Sequence, residues 1–147
     1  MLLETTYKEN WEVPGGVIET GESPLKCAIR ELHEELGVLL SPGRLLVTQH
    51  FQKADGVESI SFLFDGGELN KAWLEKHAAV PNSEIKAAHW VPLHKVAKHC
   101  TPFVTERVLQ GYEAAVNGQP VYLEGTEEFH AVGAEVAHTP PPISASV

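Results

Sequence analysis

Three carboxylates, those of Glu31, Glu34 and Glu35, stand close together in the segment RELHEEL. On an α-helix, residues three and four positions apart share a face, so these side chains would cover an arc of roughly 100°. Ionised carboxylates at this spacing repel each other, at a cost of roughly a few tenths of a kcal/mol per pair. A divalent cation would reverse that cost, because Mg²⁺ prefers carboxylate oxygens. The spacing predicts a metal-binding helix face, and the alternative is an ordinary solvated charged face.

The surroundings of the three glutamates favour a ligand site. The turn Pro14-Gly15-Gly16 precedes the helix, and its glycines would let backbone approach a ligand closely. Glu22 stands just before the helix, and Arg30 lies inside it beside the carboxylates. The simpler interpretation of Arg30 is an ion pair along the helix.

A capped helix over Pro24–Leu36 is predicted to position this cluster. Ser23 is a suitable N-cap, Pro24 suits the first helical position, and Gly37 suits the residue after the helix. The apolar residues of the segment recur at helical spacing and predict its core-facing stripe. They are Leu25, Ile29, Leu32 and Leu36.

Strands and two more helices are predicted around this helix. Branched and aromatic residues predict strands at Met1–Tyr7, Trp11–Val13, Arg44–Phe51, Ser59–Phe64 and Ala88–Leu93. Helices are predicted at Asn70–His77 and from Thr101-Pro102 to Asn117-Gly118, the latter with Phe103, Leu109, Tyr112 and Val116 as apolar positions. This order predicts one α/β (α+β) domain over residues 1–118. Residues 119–147 form a C-terminal extension that we expect to be flexible from about residue 125, where HTPPPISASV offers little to a core.

Composition narrows the class of protein. The chain of 147 residues is long enough for one domain, and its net charge of −9 gives no basic stripe for duplex nucleic acid. An acidic protein can still bind a small polyphosphate through a divalent cation. Cys27 and Cys100 form neither a metal motif nor a disulfide framework. No apolar run is long enough for a membrane span, and no signal peptide is visible, so we expect a cytoplasmic protein.

The glutamate cluster belongs to a longer pattern. Gly16, five residues, Glu22, seven residues, and then RELHEELGV match G-x5-E-x7-R-E-U-x-E-E-x-G-U, where U is a bulky aliphatic residue. This pattern resembles the complete signature of the Nudix hydrolase (MutT-like) family. The segment from Trp11 to Gly16 and an acidic residue, Glu84, before Trp90 resemble further family features. The resemblance covers about Leu2 to Val116 and implies the Nudix fold, an α/β/α sandwich with a central mixed β-sheet.

The resemblance also implies a mechanism. Members hydrolyse nucleoside diphosphates linked to another group X, using Mg²⁺ or Mn²⁺, by attack of water on phosphorus. Carried over to this chain, the metal ligands are Glu31, Glu34, Glu35 and the carbonyl of Gly15. Glu31 is the first candidate for general base and Glu84 the second, with a surface charge as the alternative for Glu84. Arg30 would orient a cluster glutamate, and Gly16 and Glu22 would shape and brace the loop.

The family sheet usually has a strand before the one that matches Leu2–Tyr7, and this sequence does not supply it. A truncated chain, a misassigned start, or a partner chain that completes the sheet in a homodimer would each account for this. Without such a partner, the strand at Leu2–Tyr7 would have an unpaired edge that favours association with other chains.

The substrate is less well specified. Phe51 and Phe62 lie on predicted strands and could stack on a nucleobase, although the same alternation is typical of core strands. No marker of the ADP-ribose, dinucleoside polyphosphate, NADH or coenzyme A subfamilies is present, so we expect a small nucleotide or nucleotide sugar. The alternatives are a non-catalytic nucleotide or ADP-ribose-binding module and an isomerase acting on an isoprenoid diphosphate.

Four other residues have plain structural interpretations. We expect Cys27 to be a small packing residue and His33 to face away from the glutamates. Trp73 and Trp90 are expected in the core rather than as stacking platforms for a base.

Overall fold

The computed structural model describes residues 1–53 and 55–126, without the side chain of Thr126. The elements follow one another as strand β1 (Leu2–Thr5), helix α1 (Pro24–Leu36), strands β2 (Leu45–Gln52) and β3 (Glu58–Phe64), helix α2 (Lys71–His77), strand β4 (Ile85–His89), a 3₁₀ helix (Leu93–Lys98), helix α3 (Pro102–Asn117) and strand β5 (Val121–Thr126). Among these residues, no helix is both long and apolar enough to cross a bilayer. The expectation of a flexible tail falls on residues 127–147, outside the described part of the chain.

The strands form two sheets. Strand β1 pairs antiparallel with β4, from Leu2 opposite His89 to Thr5 opposite Ile85. On its other side, Leu3 exchanges two backbone hydrogen bonds with Glu12, at 2.7 and 3.1 Å. Strand β2 is the centre of a mixed sheet in the order β3-β2-β5, antiparallel to β3 and parallel to β5. One mixed sheet and one antiparallel pair, combined with helices, confirm the predicted α/β (α+β) class.

Helix α1 begins and ends where its caps predict. The hydroxyl of Ser23 accepts a hydrogen bond from the Lys26 N–H at 3.3 Å, and Gly37 adopts a left-handed conformation with φ 70°. The predicted apolar stripe is only partly right. Leu36 and Cys27 are buried, whereas Leu25 is 38 % exposed. The buried arc is turned towards Cys27 because the glycine-rich loop covers that side of the helix.

Helix α3 packs through smaller residues than predicted. Phe103 is buried as expected, together with Val104, Gly111 and Ala114. Leu109, Tyr112 and Val116 are exposed, so their assignment to the core was wrong. At Gly111 a Cβ would overlap the side chain of Leu63, which shows how closely α3 approaches β3. Close backbone approach, rather than large apolar side chains, defines this interface.

Strands β4 and β5 differ most from the sequence prediction. Strand β4 ends at His89, and the chain then enters the 3₁₀ helix, so the strand predicted over Ala88–Leu93 began too late and extended too far. Strand β5 was not predicted, and the sheet continues beyond the domain boundary placed at Gly118. Its residues Val121 and Leu123 pack with Val47 and Ala114. Strand β5 gains its partner, β2, only in the fold, so its short pattern was a weak signal.

The two tryptophans expected in the core are partly exposed instead. Trp73 is 41 % exposed and stacks on His77 within α2, with ring centroids 4.6 Å apart. Trp90 is 38 % exposed and follows β4. Trp11 is the more enclosed ring, because it lies between His89 and His99 at centroid distances of 3.9 and 4.0 Å. Cys27 is buried, as predicted, and His33 is exposed.

Candidate active site

The glycine-rich loop covers the carboxylate face of α1. Gly15 donates its N–H to Oε2 of Glu35 at 2.9 Å, and its φ of 147° favours glycine. Gly16 accepts a hydrogen bond from Sγ of Cys27 at 3.7 Å. A Cβ on Gly16 would overlap the carboxylate of Glu31. The loop therefore lies directly against Glu31 and Glu35, two of the three carboxylates predicted to bind a metal.

Arg30 holds the cluster together. Its Nε and Nη2 donate to the two carboxylate oxygens of Glu22, both at 3.0 Å, a bidentate contact. Its Nη1 donates to Glu31 Oε1 at 2.7 Å and to Glu34 Oε2 at 2.9 Å. Nη2 also donates to the carbonyl of Val17 at 3.1 Å, which ties the loop to the helix. Sequence reasoning anticipated a single glutamate contact, and the structure shows three.

The charges of this network are strongly coupled. Hydrogen bonds to Glu22 and then to Glu31 raise the pKa of Arg30, so it stays charged at any pH the protein tolerates. The same guanidinium lowers the pKa of Glu22 against the opposing effect of desolvation. Glu22 is therefore held as an anion between Arg30 and the loop, whose Glu19 N–H donates to its Oε2 at 3.2 Å.

Glu35 is the unusual carboxylate of the site. It is only 9 % exposed, and burial raises its pKa to about 7, although the Gly15 N–H partly opposes the shift. The negative charges of Glu31, Glu84 and Glu12 raise it further. Sequence reasoning did not identify Glu12, which comes near only because its backbone pairs with Leu3. Four carboxylates thus lie close together, and the cations paired with them are Arg30, bound to Glu31, and Lys8, bound to Glu12.

Glu84 is exposed and lies in the loop between α2 and β4. Its charge reaches Glu35, which places the loop near the carboxylate cluster. Asn82, two residues earlier, donates from Nδ2 to the carbonyl of Glu35 at 3.0 Å. The fold therefore brings Glu84 to the helix that carries the other three candidate residues.

The donor set fits a hard divalent cation in its chemistry. Glu31 Oε1 and Glu34 Oε2 each accept a hydrogen bond from Arg30, and Glu35 Oε2 accepts one from the Gly15 N–H. The second oxygen of each carboxylate takes part in none of these three hydrogen bonds and could bind a cation. In residues 1–53 and 55–126, no group of three or more His, Cys, Asp or Glu side chains is already arranged around one point. Burial is the main cause of the raised pKa of Glu35, and a cation would relieve the carboxylate repulsion that adds to it.

A cavity of about 1010 Å³ borders the same glycine loop. Gly15 and Gly16 line part of the cavity, and helix α1, strands β2 and β3, helix α3 and several loops line the rest, including Phe51, Phe62 and Arg107. Phe51 is buried against Phe103, with ring centroids 4.8 Å apart. Phe62 is 36 % exposed.

The two candidate substrate-binding phenylalanines lie on opposite faces of the mixed sheet. Phe51 is paired with Ser59, and Phe62 is paired with Thr48. Directly paired residues share a face, and residues three apart in a strand do not. One planar ring therefore cannot stack on both side chains where they now lie.

Arg107 was not identified from the sequence. It lies on α3, donates from Nε to the buried Oε1 of Gln49 at 2.7 Å, and stands 4.6 Å above the Phe103 ring. The hydrogen bond to Gln49 and the contact with the Phe103 ring hold the Arg107 guanidinium at the cavity. An arginine in the middle of a helix is too common a feature to have been singled out.

Arg30→Lys should separate positive charge from guanidinium geometry. A lysine keeps the charge but cannot hold Glu22 bidentately while reaching two more carboxylates. We expect kcat to fall by about 10- to 100-fold, the usual loss when a residue that orients metal-binding side chains is replaced. Steady-state kinetics measure it, with Arg44→Lys as the matched control outside the site. An unchanged kcat would show that the network acts only through charge.

Comparison with known proteins identifies the family. The model of the NUDIX domain matches residues 2–112, so the chain belongs to the NUDIX family, as its signature indicated. A crystal structure of a UDP-X diphosphatase superposes with a TM-score of 0.65 at 22 % identity, over 83 % of this chain and 59 % of that one. A MutT protein from Methanosarcina mazei Go1 superposes with a TM-score of 0.63 at 21 % identity, over 78 % of this chain and 83 % of that one. These likenesses confirm the predicted Nudix fold.

Curated relatives match a shorter stretch. Diphosphoinositol polyphosphate phosphohydrolase 3-alpha from Mus musculus is 44 % identical over 46 residues, which are 31 % of this chain and 28 % of the relative. The human diphosphoinositol polyphosphate phosphohydrolase 2 matches equally over 46 residues and 26 % of its length. The matched stretch thus spans little more than a quarter of these relatives.

Proposed function

We propose that the chain is a Nudix hydrolase that cleaves the diphosphate linkage of a nucleoside diphosphate-X compound by attack of water on phosphorus. Mg²⁺ is the proposed cofactor, with Mn²⁺ as a substitute. The observation that carries the proposal is the complete set of Glu31, Glu34 and Glu35 on one helix face, with Glu35 buried among other carboxylates. Such a set is costly for the fold unless a cation uses it.

Each residue has a proposed role. Glu31, Glu34 and Glu35, with the carbonyl of Gly15, would hold the metal, which supplies Lewis-acid polarisation of the diphosphate and a more acidic bound water. Glu31 is the first proposal for general base and Glu84 the second. Arg30 and Glu22 keep the carboxylates and the loop in place. A chain of net charge −9 would otherwise repel an anionic substrate.

The cavity is the proposed site for the group that is not hydrolysed. Phe51 packs against Phe103, and Arg107 places a positive charge on the same face of the sheet through its hydrogen bond to Gln49. Phe62 offers an exposed ring on the other face. The relatives' names refer to two different substrates, a diphosphoinositol polyphosphate and a UDP-X compound. An inositol polyphosphate requires many cations, whereas this cavity combines Arg107 and two lysines, Lys8 and Lys53, with largely apolar walls. We therefore favour a nucleotide or nucleotide sugar.

A non-catalytic nucleotide or ADP-ribose-binding module is the second candidate function. It would use the same cavity and would not require the carboxylates to be complete. The intact cluster and the Arg30 network favour the enzyme. A cytoplasmic location and a homodimer are proposed with the function, on the grounds given by the sequence.

The test is a substrate panel with the purified full chain. Nucleotides, nucleotide sugars, ADP-ribose, dinucleoside polyphosphates, coenzyme A and a diphosphoinositol polyphosphate are incubated with and without Mg²⁺, and phosphate is read after a coupled phosphatase. We expect metal-dependent release from one compound class, and Glu34→Gln is the control for contaminating activity. Binding without release from folded protein would favour the binding module. Release without added metal and in the presence of EDTA would refute the proposed chemistry.

A further inference from the structure

The loop between α2 and β4 closes the carboxyl end of the helix that carries the glutamates. The last carbonyls of a helix lack partners within the helix. Here the Ala79 N–H donates to the carbonyl of Leu36 at 2.7 Å, and Nδ2 of Asn82 donates to the carbonyl of Glu35 at 3.0 Å. The loop therefore supplies the partners that the helix end needs.

The side-chain amide of Asn82 is fully used. Nδ2 also donates to the carbonyl of Ala79 at 3.3 Å, and Oδ1 accepts the N–H groups of Glu84 at 3.0 Å and Ile85 at 2.8 Å. An amide has two donor hydrogens and two acceptor sites, so each has a partner. The donors bind the helix end and the loop, and the acceptor organises the turn that carries Glu84.

The far side of this turn is also fixed. Ile85 is 1 % exposed in the core, and the carbonyl of Glu84 accepts the Thr6 N–H at 2.8 Å. The backbone at Glu84 is thus tied to β1 on one side and, through Asn82, to Glu35 on the other. Those two connections fix the backbone of Glu84 relative to the carboxyl end of α1.

We propose that Asn82 is a positioning residue that fixes Glu84 relative to the carboxylate cluster on α1. This inference rests on the proposed hydrolase function and deepens it. Asn82 acts through Glu84: its acceptor oxygen orients the Glu84 backbone, and its donor nitrogen links that backbone to the residue that carries the Glu35 side chain. Loss of the donor half removes the Asn82 link to the carbonyl of Glu35, while the Ala79 hydrogen bond to Leu36 and the turn itself persist.

Asn82→Asp tests the donor half. Aspartate keeps the acceptors for Glu84 and Ile85 but faces the carbonyls of Glu35 and Ala79 without hydrogens. We expect kcat to fall about 10- to 100-fold with KM within about threefold, as for other residues that orient a ligand without touching substrate. Asn70→Asp is the matched control, since Asn70 caps α2 by accepting the Trp73 N–H and lies outside the site. Asn82→Ala, which removes the donors and the acceptor together, replaces the aspartate should that variant fail to fold.

A double-mutant cycle distinguishes positioning of Glu84 from general damage. In the Glu84→Gln background, Asn82→Asp should lower kcat by less than about twofold, because residues that act through one another are not additive. Full multiplication of the two losses would overturn the proposal. A wild-type chain without turnover on the substrate panel would instead refute the proposed function.

Amide exchange gives a readout that needs no turnover. In the wild type the N–H groups of Glu84 and Ile85 are held by Asn82. We expect Asn82→Ala to accelerate their exchange by about tenfold or more, and Asn82→Asp to leave it close to wild type. Unchanged exchange in Asn82→Ala would show that Asn82 does not hold the turn, and would overturn the proposal even for an inactive chain.

Discussion

Glu35→Gln is expected to abolish turnover and to leave the chain folded. The substitution removes a proposed metal ligand but keeps an oxygen that can accept the Gly15 N–H. We expect kcat to fall at least about 100-fold, the scale at which groups that stabilise charge at a reacting centre act. Glu34→Gln should have a comparable effect on turnover. Kinetics at saturating Mg²⁺ measure both, and a rate near wild type in either variant would refute the proposed metal cluster.

The same substitution should make the metal-free protein more stable at alkaline pH. The pKa of Glu35 is raised to about 7 in the folded chain, above its unfolded value of 4.5, so the folded state binds more protons between these values. The stability that this proton contributes is present below the unfolded pKa and is lost as pH rises through the folded pKa. The wild type should therefore lose up to about 3 kcal/mol relative to Glu35→Gln between pH 4.5 and pH 8.

Urea unfolding in EDTA at pH 5 and pH 8 measures this difference. Glu113→Gln on the exposed side of α3 is the control, because removal of a surface carboxylate should give no comparable pH dependence. Added Mg²⁺ should stabilise the wild type more at pH 8 than at pH 5, since the metal needs the ionised carboxylate. Equal stability of wild type and Glu35→Gln at pH 8 would contradict the raised pKa of the buried Glu35 carboxylate.

Gly16→Ala is expected to lower activity sharply with little effect on folding. The added Cβ would overlap the end of the Glu31 side chain, which is flexible and can move aside. The fold then persists, but the carboxylate leaves its place between Arg30 and the loop. A displacement of about 1 Å at a catalytic group can reduce kcat about 100-fold.

Gly43→Ala provides the matched control, because a Cβ there would make only ordinary contact, 3.5 Å from the carbonyl of Asp65. The comparison needs kcat and a thermal melt for both variants. We expect the two melting temperatures to agree within about 3 °C and only the Gly16 variant to lose activity. A large loss of stability in Gly16→Ala would indicate that the close approach serves folding rather than placement of Glu31.

The parts of the site that sequence reasoning predicted are local. Helix α1 has the predicted bounds because Ser23, Pro24 and Gly37 determine its ends within the segment itself. The shared face of Glu31, Glu34 and Glu35 follows from helical spacing alone. Both features depend on residues close in the chain, whose relation is fixed once the helix forms.

The parts that were missed depend on tertiary contacts. Glu12 and Asn82 reach the cluster from distant segments, and no spacing rule connects either with α1. The opposite orientations of Phe51 and Phe62 depend on strand register, which is set by the fold as a whole. The buried face of helix α3 was predicted wrongly because Gly111 and Ala114 pack closely through their small size. Hydrophobic periodicity does not detect this kind of packing.

Gly15 and Gly16 contact the carboxylate cluster and also line the cavity. The proposed chemistry on the diphosphate and the proposed binding of the attached group therefore meet at this loop, and mutations can alter them independently. The groups proposed to act on the diphosphate come mainly from α1, whereas Phe62 and Arg107 come from β3 and α3. Changes on the latter elements can redirect the chain to a new leaving group without disturbing the reacting centre. Directed evolution of specificity should therefore begin on β3 and α3 with α1 and its loop held constant.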